Sequence, residues 1–437
     1  MKKIVVKFGG TSLADAGQIK KAAEIILADP DRRFAVVSAP GKRFKEDTKV
    51  TDLLLNAWKC ADAGEDFAPL LAEVAGRLRE IAAELGLEID FSEDLRRIGE
   101  QLSSRPEREY TASRGEYFSG RLMAAYLGWP FLDAADCIVF DENGQLMEEE
   151  TDRRLAAGTA GLERAVIPGF YGRDTAGRIR TFSRGGSDIT GSLVARAVGA
   201  SLYENWTDVS GLLFTDPHMV KDPAVIRYIT YEELRELSYL GASVLHEDAV
   251  FPVRKAGIPI NIRNTNRPQD DGTLIVAELP EGYDPGAVTG VAGKKGYTTV
   301  HVTKSLMNNE IGFAARLLMI FAEHGVSLEH CPTGIDTIAV VVQEALFAPK
   351  KDAIMEAIRQ ELQPEELYLD EDLAVIAVVG TGIMNNRGVA ARVFTAVAGE
   401  GVNVRMIDSG AGGKDIILSV RSGDLEAAVQ GIYKEFA

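Results

Sequence analysis

Cysteine is nearly missing from this chain. Its 437 residues hold three, Cys60, Cys137 and Cys331. They are far apart and in no CxxC or zinc-ligand spacing, which argues against a disulfide framework and fits reduced thiols in a cytoplasmic setting. Long apolar runs are missing as well. The N-terminal run Ile4-Val5-Val6 stops at Lys7, too short for a signal-peptide core, and no segment reaches the ~18 apolar residues of a membrane-spanning helix. Positive charge is in deficit, with 48 Lys plus Arg against 65 Asp plus Glu and a formal net charge of −17. That balance argues against nucleic acid and against an anionic membrane surface as partners, since both reward a basic face. It leaves small anions open, because a local pocket can oppose the overall sign. The five histidines, His218, His246, His301, His324 and His330, show no metal-ligand spacing. No protein-held metal, nucleophile triad or thiol site is expected.

The remaining composition, 46% hydrophobic and 26% charged, is that of an ordinary globular protein, and the length suggests about two to four domains. Ile4 to Lys7 reads as a buried strand. A glycine turn follows, then a helix from about Leu13 to Ala28 and a second strand over Phe34 to Ser38. This is the βαβ signal of a parallel sheet. Residues 50–105 read as helical. Strand–helix alternation resumes with strands at Ala165–Pro168, Ser201–Asn205 and Pro259–Arg263, and helices near Asp188–Val198 and over Glu232–Lys255. The first 290 or so residues therefore predict one α/β domain with helices on both faces of the sheet.

The rest of the chain contains an internal repeat. Gly312-Phe-Ala-Ala-Arg316 with Gly325-Val326 recurs 76 residues later as Gly388-Val-Ala-Ala-Arg392 with Gly401-Val402. Two copies are too few for a solenoid and read as a tandem pair of small β–α modules. Between them Glu361 to Asp372 carries six acids and no base, which reads as a solvated connector.

Two glycine turns carry the chemistry. Lys7-Phe8-Gly9-Gly10-Thr11-Ser12 joins the first strand to the first helix, where backbone N–H groups and a helix N-terminus favour an anion and Lys7 adds a point charge. The GxxxxGK[ST] spacing of a P-loop is absent. Ser183-Arg184-Gly185-Gly186-Ser187-Asp188 precedes a second helix. Arg184 suits a carboxylate, and Asp188 suits a phosphate-bound metal or a hydroxyl, or serves simply as a first-turn helix acid. Two such turns at the carboxyl ends of strands in one sheet would face a single crevice. Two further polar motifs are explained equally well by turn and capping chemistry. They are Thr207-Asp208-Val209-Ser210-Gly211 and Gly115-Glu116-Tyr117-Phe118-Ser119, the latter reading as the opening of a helix.

Taken together, KFGGTS, GEYFS at 115–119, SRGGSD at 183–188, TDVSG at 207–211 and the tandem modules resemble the aspartate kinase family in order and spacing over essentially the whole chain. The resemblance implies an α/β amino-acid-kinase fold, a three-layer αβα sandwich with a mostly parallel sheet, over residues 1–289. Two α+β ACT (ferredoxin-like) modules would follow. The first would cover 304–372, and the second would be discontinuous, joining 290–303 to 373–437.

It further implies transfer of the ATP γ-phosphoryl to the β-carboxylate of aspartate, with magnesium accompanying ATP through its phosphates. Both reactants are anionic, so catalysis would rest on positioning and charge neutralisation. By this resemblance Lys7 stabilises the transferring phosphoryl, with Gly9, Gly10 and Ser12 beside it. Arg184 holds the aspartate α-carboxylate, Glu116 its ammonium, and Ser38, Thr51 and Ser187 line the pocket. Asp188 organises the catalytic groups, and Thr207 and Asp208 meet the nucleotide. Leu213, His218 and Ser243 stand where many relatives have a tyrosine-containing stretch, an arginine and a lysine.

The regulatory modules resemble ones that bind free amino acids at the strand-to-helix turn. The implied effector pocket comprises Met307, Asn309, Glu310, Gly312 and Phe313, with Ser327 and Glu329 on the next strand. Lysine, threonine or both would be the feedback inhibitors. Side-by-side pairing of the modules implies a homodimer or a dimer of dimers. Two other readings stay open: another amino-acid or nucleotide kinase of the same fold, and a non-catalytic amino-acid sensor.

Overall fold

The computed structural model describes residues 2–183, 185–241, 245, 247–410 and 412–437. The chain divides into two compact units. The first comprises Met1–Leu212, Arg227–Tyr231 and Val244–Leu279, and the second Leu213–Ile226, Glu232–Ser243 and Pro280–Ala437.

The first unit contains the strands β1 (Ile4–Phe8), β2 (Arg32–Val37), β3 (Val139–Phe140), β4 (Ala165–Pro168), β5 (Tyr171–Asp174), β6 (Ile179–Thr181), β7 (Leu202–Thr207), β8 (Tyr228–Thr230), β9 (Ile260–Asn264) and β10 (Thr273–Val276). Seven of them form one sheet in the order β4-β2-β1-β7-β9-β10-β8, parallel except where β10 runs against β9. The short strands β3, β5 and β6 form a separate small sheet. Side chains alternate between the two faces of a strand. On β1 and β7, Val6, Phe8 and Trp206 enter a core with Ile19, Ile26, Leu54 and Phe118. Lys7, Tyr203 and Asn205 turn to the other face, where the helix Gly186–Ala197 lies. Lys7 is thus the one charge in an otherwise apolar, buried strand.

One helix starts earlier than the sequence suggests. Gly115 and Glu116 do not open a helix; they lie in the middle of Arg108–Leu127, whose central residues are buried. The glycine is needed for contact rather than for a turn, because a Cβ there would lie 2.7 Å from the Ala39 side chain.

The second unit holds β11 (Gly290–Thr303), β12 (Leu328–His330), β13 (Thr337–Gln343), β14 (Glu366–Val379), β15 (Met406–Asp408) and β16 (Asp415–Arg421). They form one antiparallel sheet in the order β12-β13-β11-β14-β16-β15. The long strand β11 serves both halves of this sheet. Gly290–Lys295 pairs with Val379–Ala374, whereas Tyr297–Thr303 runs between β13 and the first part of β14. Two separate cores result. The helices Phe313–Glu323 and Lys351–Leu362 pack on one half of the sheet, and Val389–Gly399 and Leu425–Phe436 on the other. The acidic stretch 361–372 is not a solvated connector. Its second part is the start of β14, where Asp370 is buried against Arg405 and Arg421 at 2.8 and 2.9 Å. Segment 213–226 joins this unit because Phe214 packs in its core with Val291 and against Tyr433.

Candidate active site

The first glycine turn is built by close backbone approach. Gly9 donates its N–H to the Trp206 carbonyl at 3.0 Å, Ser12 donates to Gly9, and Gly10–Leu13 forms a short 3-10 turn. Gly41 donates to the Gly10 carbonyl at 2.8 Å, and a Cβ on Gly41 would lie 2.5 Å from the Gly10 carbonyl carbon. The turn is therefore sandwiched between the end of β7 and the loop after β2. The Ser12 hydroxyl meets the Thr265 hydroxyl at 2.7 Å, and the Thr265 N–H reaches the Thr207 carbonyl at 2.9 Å.

The second turn brings Asp188 onto Lys7. Gly185, at φ 59°, caps the helix Gly186–Ala197 and sets Asp188 in its first turn. There Lys7 Nζ and Asp188 Oδ1 form an ion pair. Asn205 Nδ2 donates to the same Oδ1 at 2.7 Å, and the Tyr203 hydroxyl donates to the Asp188 main-chain oxygen at 3.2 Å. Ser187 rests on Gly169, where a Cβ would come within 2.6 Å of its side chain.

Glu116 forms the inner wall. Burial pushes its carboxyl up to about 8, opposed by a hydrogen bond from the Ala39 backbone and by the positive charges of Arg114 and Lys7. Glu116 Oε2 is buried without a partner among the described residues, an orphaned acceptor of a kind that is rare in a folded protein. The Thr51 hydroxyl lies beside Gly115, and Ser38 continues β2 by donating its N–H to the Phe8 carbonyl at 3.1 Å. At the end of β7, Thr207 Oγ1 donates to Asp208 Oδ1 at 3.2 Å, and Asn264 holds the Asp208 carbonyl at 3.1 Å.

Lys7, Gly9, Gly10, Ser12, Ser38, Thr51, Glu116, Ser187, Asp188, Thr207 and Asp208 thus gather around the carboxyl ends of β1, β2 and β7, the usual ligand crevice of an open parallel sheet. Arg184 lies outside the described residues, as do Ser243 and His246. Leu213 and His218 fall in segment 213–226 of the second unit. Asn205 and Tyr203 carry no motif of their own. The register of β7 beside β1, with Asn205 opposite Lys7, is the signal that reveals them.

The effector residues divide. Met307 and Phe313 are buried in their module's core, Asn309 is exposed, Gly312 adopts φ 81°, and Glu310 pairs with Lys304 at 2.7 Å and with Arg316. This turn follows Thr303, opposite Thr337. Ser327 and Glu329 stand at the other end of the half-sheet, since Leu328 pairs with Val342, itself opposite Thr298. Glu329 accepts from Gln343 at 2.9 Å, and its charge, after burial, helps push the Tyr239 hydroxyl up. A single module therefore does not bring Ser327 and Glu329 to the 307–313 turn.

No helix among the described residues is long and apolar enough to cross a membrane.

Comparison with known proteins agrees with this architecture. Residues 2–264 match the amino acid kinase family and residues 376–436 an ACT domain. Aspartokinase 3 of Bacillus subtilis is 39% identical over 453 residues, covering 99% of this chain and 98% of that protein. The crystal structure of Clostridium acetobutylicum aspartate kinase superposes with a TM-score of 0.90 at 43% identity, covering the whole of both chains. Escherichia coli aspartokinase III, solved with aspartate and ADP, gives a TM-score of 0.73 at 25% identity over 99% of each chain, and was also solved with lysine and aspartate. The chain accordingly belongs to the aspartokinases, ATP-dependent phosphotransferases that join an amino acid kinase domain to an ACT regulatory region.

Proposed function

We propose that phosphoryl transfer to the aspartate β-carboxylate takes place between the two glycine turns, with Lys7 as the cation that meets the transferring group. The observation that carries this reading is the ion pair of buried Lys7 with half-buried Asp188 at the point where both turns converge. Asp188 keeps the ammonium in place, the Gly10 N–H and the Ser12 hydroxyl line the phosphate path, and Gly9, its N–H committed to the Trp206 carbonyl, holds the turn against β7. Glu116 takes the substrate ammonium and Arg184 its α-carboxylate, with Ser38, Thr51 and Ser187 around them. Thr207 and Asp208 meet the nucleotide. Magnesium arrives with ATP. Its ligands would come mainly from phosphate oxygens, as is usual for magnesium bound with a nucleotide.

Free lysine, alone or with threonine, acts at the 307–313 turn. Since Ser327 and Glu329 lie at the opposite end of the half-sheet, a second module supplies the acid that completes each effector site. Exposed apolar side chains support such pairing into a homodimer or a dimer of dimers: Ile311 is 97% exposed, and Leu328 and Ile407 sit on the edge strands β12 and β15. The three free cysteines fit a cytoplasmic enzyme.

The test is the purified chain with ATP, magnesium, aspartate and hydroxylamine, which traps the acyl phosphate as hydroxamate. Lys7→Ala should lower kcat about 100-fold or more while the KM for aspartate moves little, because it removes an interaction made to transferring charge. Unchanged kcat with a raised KM would contradict that role. Titrating lysine and threonine, singly and together, reads the effector.

A further inference from the structure

Lys7 and Asn205 are register partners on adjacent parallel strands, so their side chains leave the sheet side by side on one face. Both end on the same atom, Asp188 Oδ1, one as an ammonium and the other as a neutral amide at 2.7 Å. Asn205 is 3% exposed. Two residues earlier on the same face of β7, Tyr203 holds the Asp188 main-chain oxygen. One strand therefore grips Asp188 at its backbone and at its side chain.

The two donors differ in what the reaction asks of them. Lys7 has to share its ammonium with a phosphoryl group as negative charge redistributes, which weakens its hold on Asp188. An amide N–H undergoes no such change. The geometry points to Asn205 as a positioning residue: it fixes the Asp188 carboxylate independently of Lys7, so that the ammonium can move toward the phosphoryl oxygen while its counter-ion stays in place. This rests on the reading of Lys7 and Asp188 as the pair that meets the phosphoryl group.

Two substitutions in the full chain test it in the hydroxamate assay. Asn205→Leu keeps the side-chain size but cannot donate. It should lower kcat by about 10- to 100-fold while both KM values stay within about twofold, the pattern of an interaction that matters only in the transition state. Asn205→Asp keeps the shape and sets a second carboxyl against Asp188. When protonated, the new carboxyl can donate as the amide does. When ionised, it repels Asp188 and competes for Lys7. Its kcat should approach the parent value at low pH and fall as pH rises, a limb missing from the parent profile.

Asn205→Leu with kcat within twofold of the parent, or with the loss confined to KM, would overturn the inference. So would an Asn205→Asp profile superimposable on that of the parent. If Asn205→Leu loses its cooperative thermal transition, the Asn205→Asp profile decides alone. Lys7→Ala and Asp188→Asn run beside them. Parent-like turnover in those two would overturn the underlying site assignment, whereas their inactivity beside parent-like Asn205 variants would overturn only the role of Asn205.

Discussion

His330 Nδ1 and Asp408 Oδ2 lie 3.4 Å apart, although their strands, β12 and β15, are the two opposite edges of the six-stranded sheet. The sheet therefore curls until its edges come into contact at this pair. Both side chains of this pair are partly solvated, so its energetic weight is small, whereas Asp370 inside the sheet pairs two arginines from a buried position. Asp408→Ala should cost about 0–1 kcal/mol, the usual worth of an exposed pair. Asp370→Ala should cost about 1–2 kcal/mol, because it removes a buried acceptor of two charge-assisted hydrogen bonds while the half-exposed arginines turn to water. Urea unfolding of the two variants measures the difference, and equal losses would show that edge closure carries more of the stability than its geometry indicates.

Glu116 predicts a pH dependence with a definite sign. Its carboxyl is held near 8 in the free site, against an ordinary value of 4.5, and only the ionised form can receive an ammonium. Arg114 and Lys7 favour that form, and burial opposes it. The kcat/KM for aspartate should rise with pH up to about 8. The kcat itself should be flatter, because bound ammonium keeps the carboxylate ionised. Glu116→Gln should remove the limb and raise the KM for aspartate. For folding the direction reverses. The native chain binds this proton more tightly, so the stability Glu116 contributes is full below about pH 4.5 and is lost as pH climbs through about 8. Melting temperatures of the ligand-free protein and of Glu116→Gln across that window check the sign.

Arg77 ties the first glycine turn to the loop after β2. It is 4% exposed and donates to the carbonyls of Ala14 at 3.0 Å, Thr48 at 2.8 Å and Gly41, with Asp47 at 3.5 Å. Three carbonyls and one acid converge on a single planar fork, a geometry an ammonium cannot reproduce. Arg77→Lys should therefore lose about 2–3 kcal/mol of stability. It should also lower kcat/KM about tenfold by loosening the backbone around Gly10 and Gly41. Denaturant midpoints and steady-state kinetics read the two effects, and an active, fully stable Arg77→Lys would show that the turn holds itself.

Glycine turns and apolar strands are short-range signals, which is why Lys7 to Ser12, Gly185 to Asp188, β4 and the repeat around Gly312 and Gly388 are legible in the sequence. What escaped depends on partners far away in the chain. Asn205 acquires meaning only once β7 lies beside β1, and Arg77 only once its helix meets a loop some thirty residues earlier. The start of β14 reads as a solvated connector because its charges suggest water, yet Asp370 finds Arg405 and Arg421 across strands. Gly115 resembles a helix start because glycine breaks helices on average. Here close packing against Ala39 outweighs that preference. The strands β3, β5 and β6, of two to four residues each, are too short to show an alternation.

The shared strand β11 bears on how such a chain can be recombined. Its first part completes the half-sheet of the second module and its second part that of the first, so no single cut inside the regulatory region releases a whole module. Segments 213–226 and 232–243 add to this, since they are grouped with that region although they lie far upstream of it. A gene fusion or exchange that joined a foreign regulatory region at residue 290 would leave both segments without their native packing partners. Inheritance of regulation in this architecture is therefore all or nothing, with both modules and their upstream segments moving together.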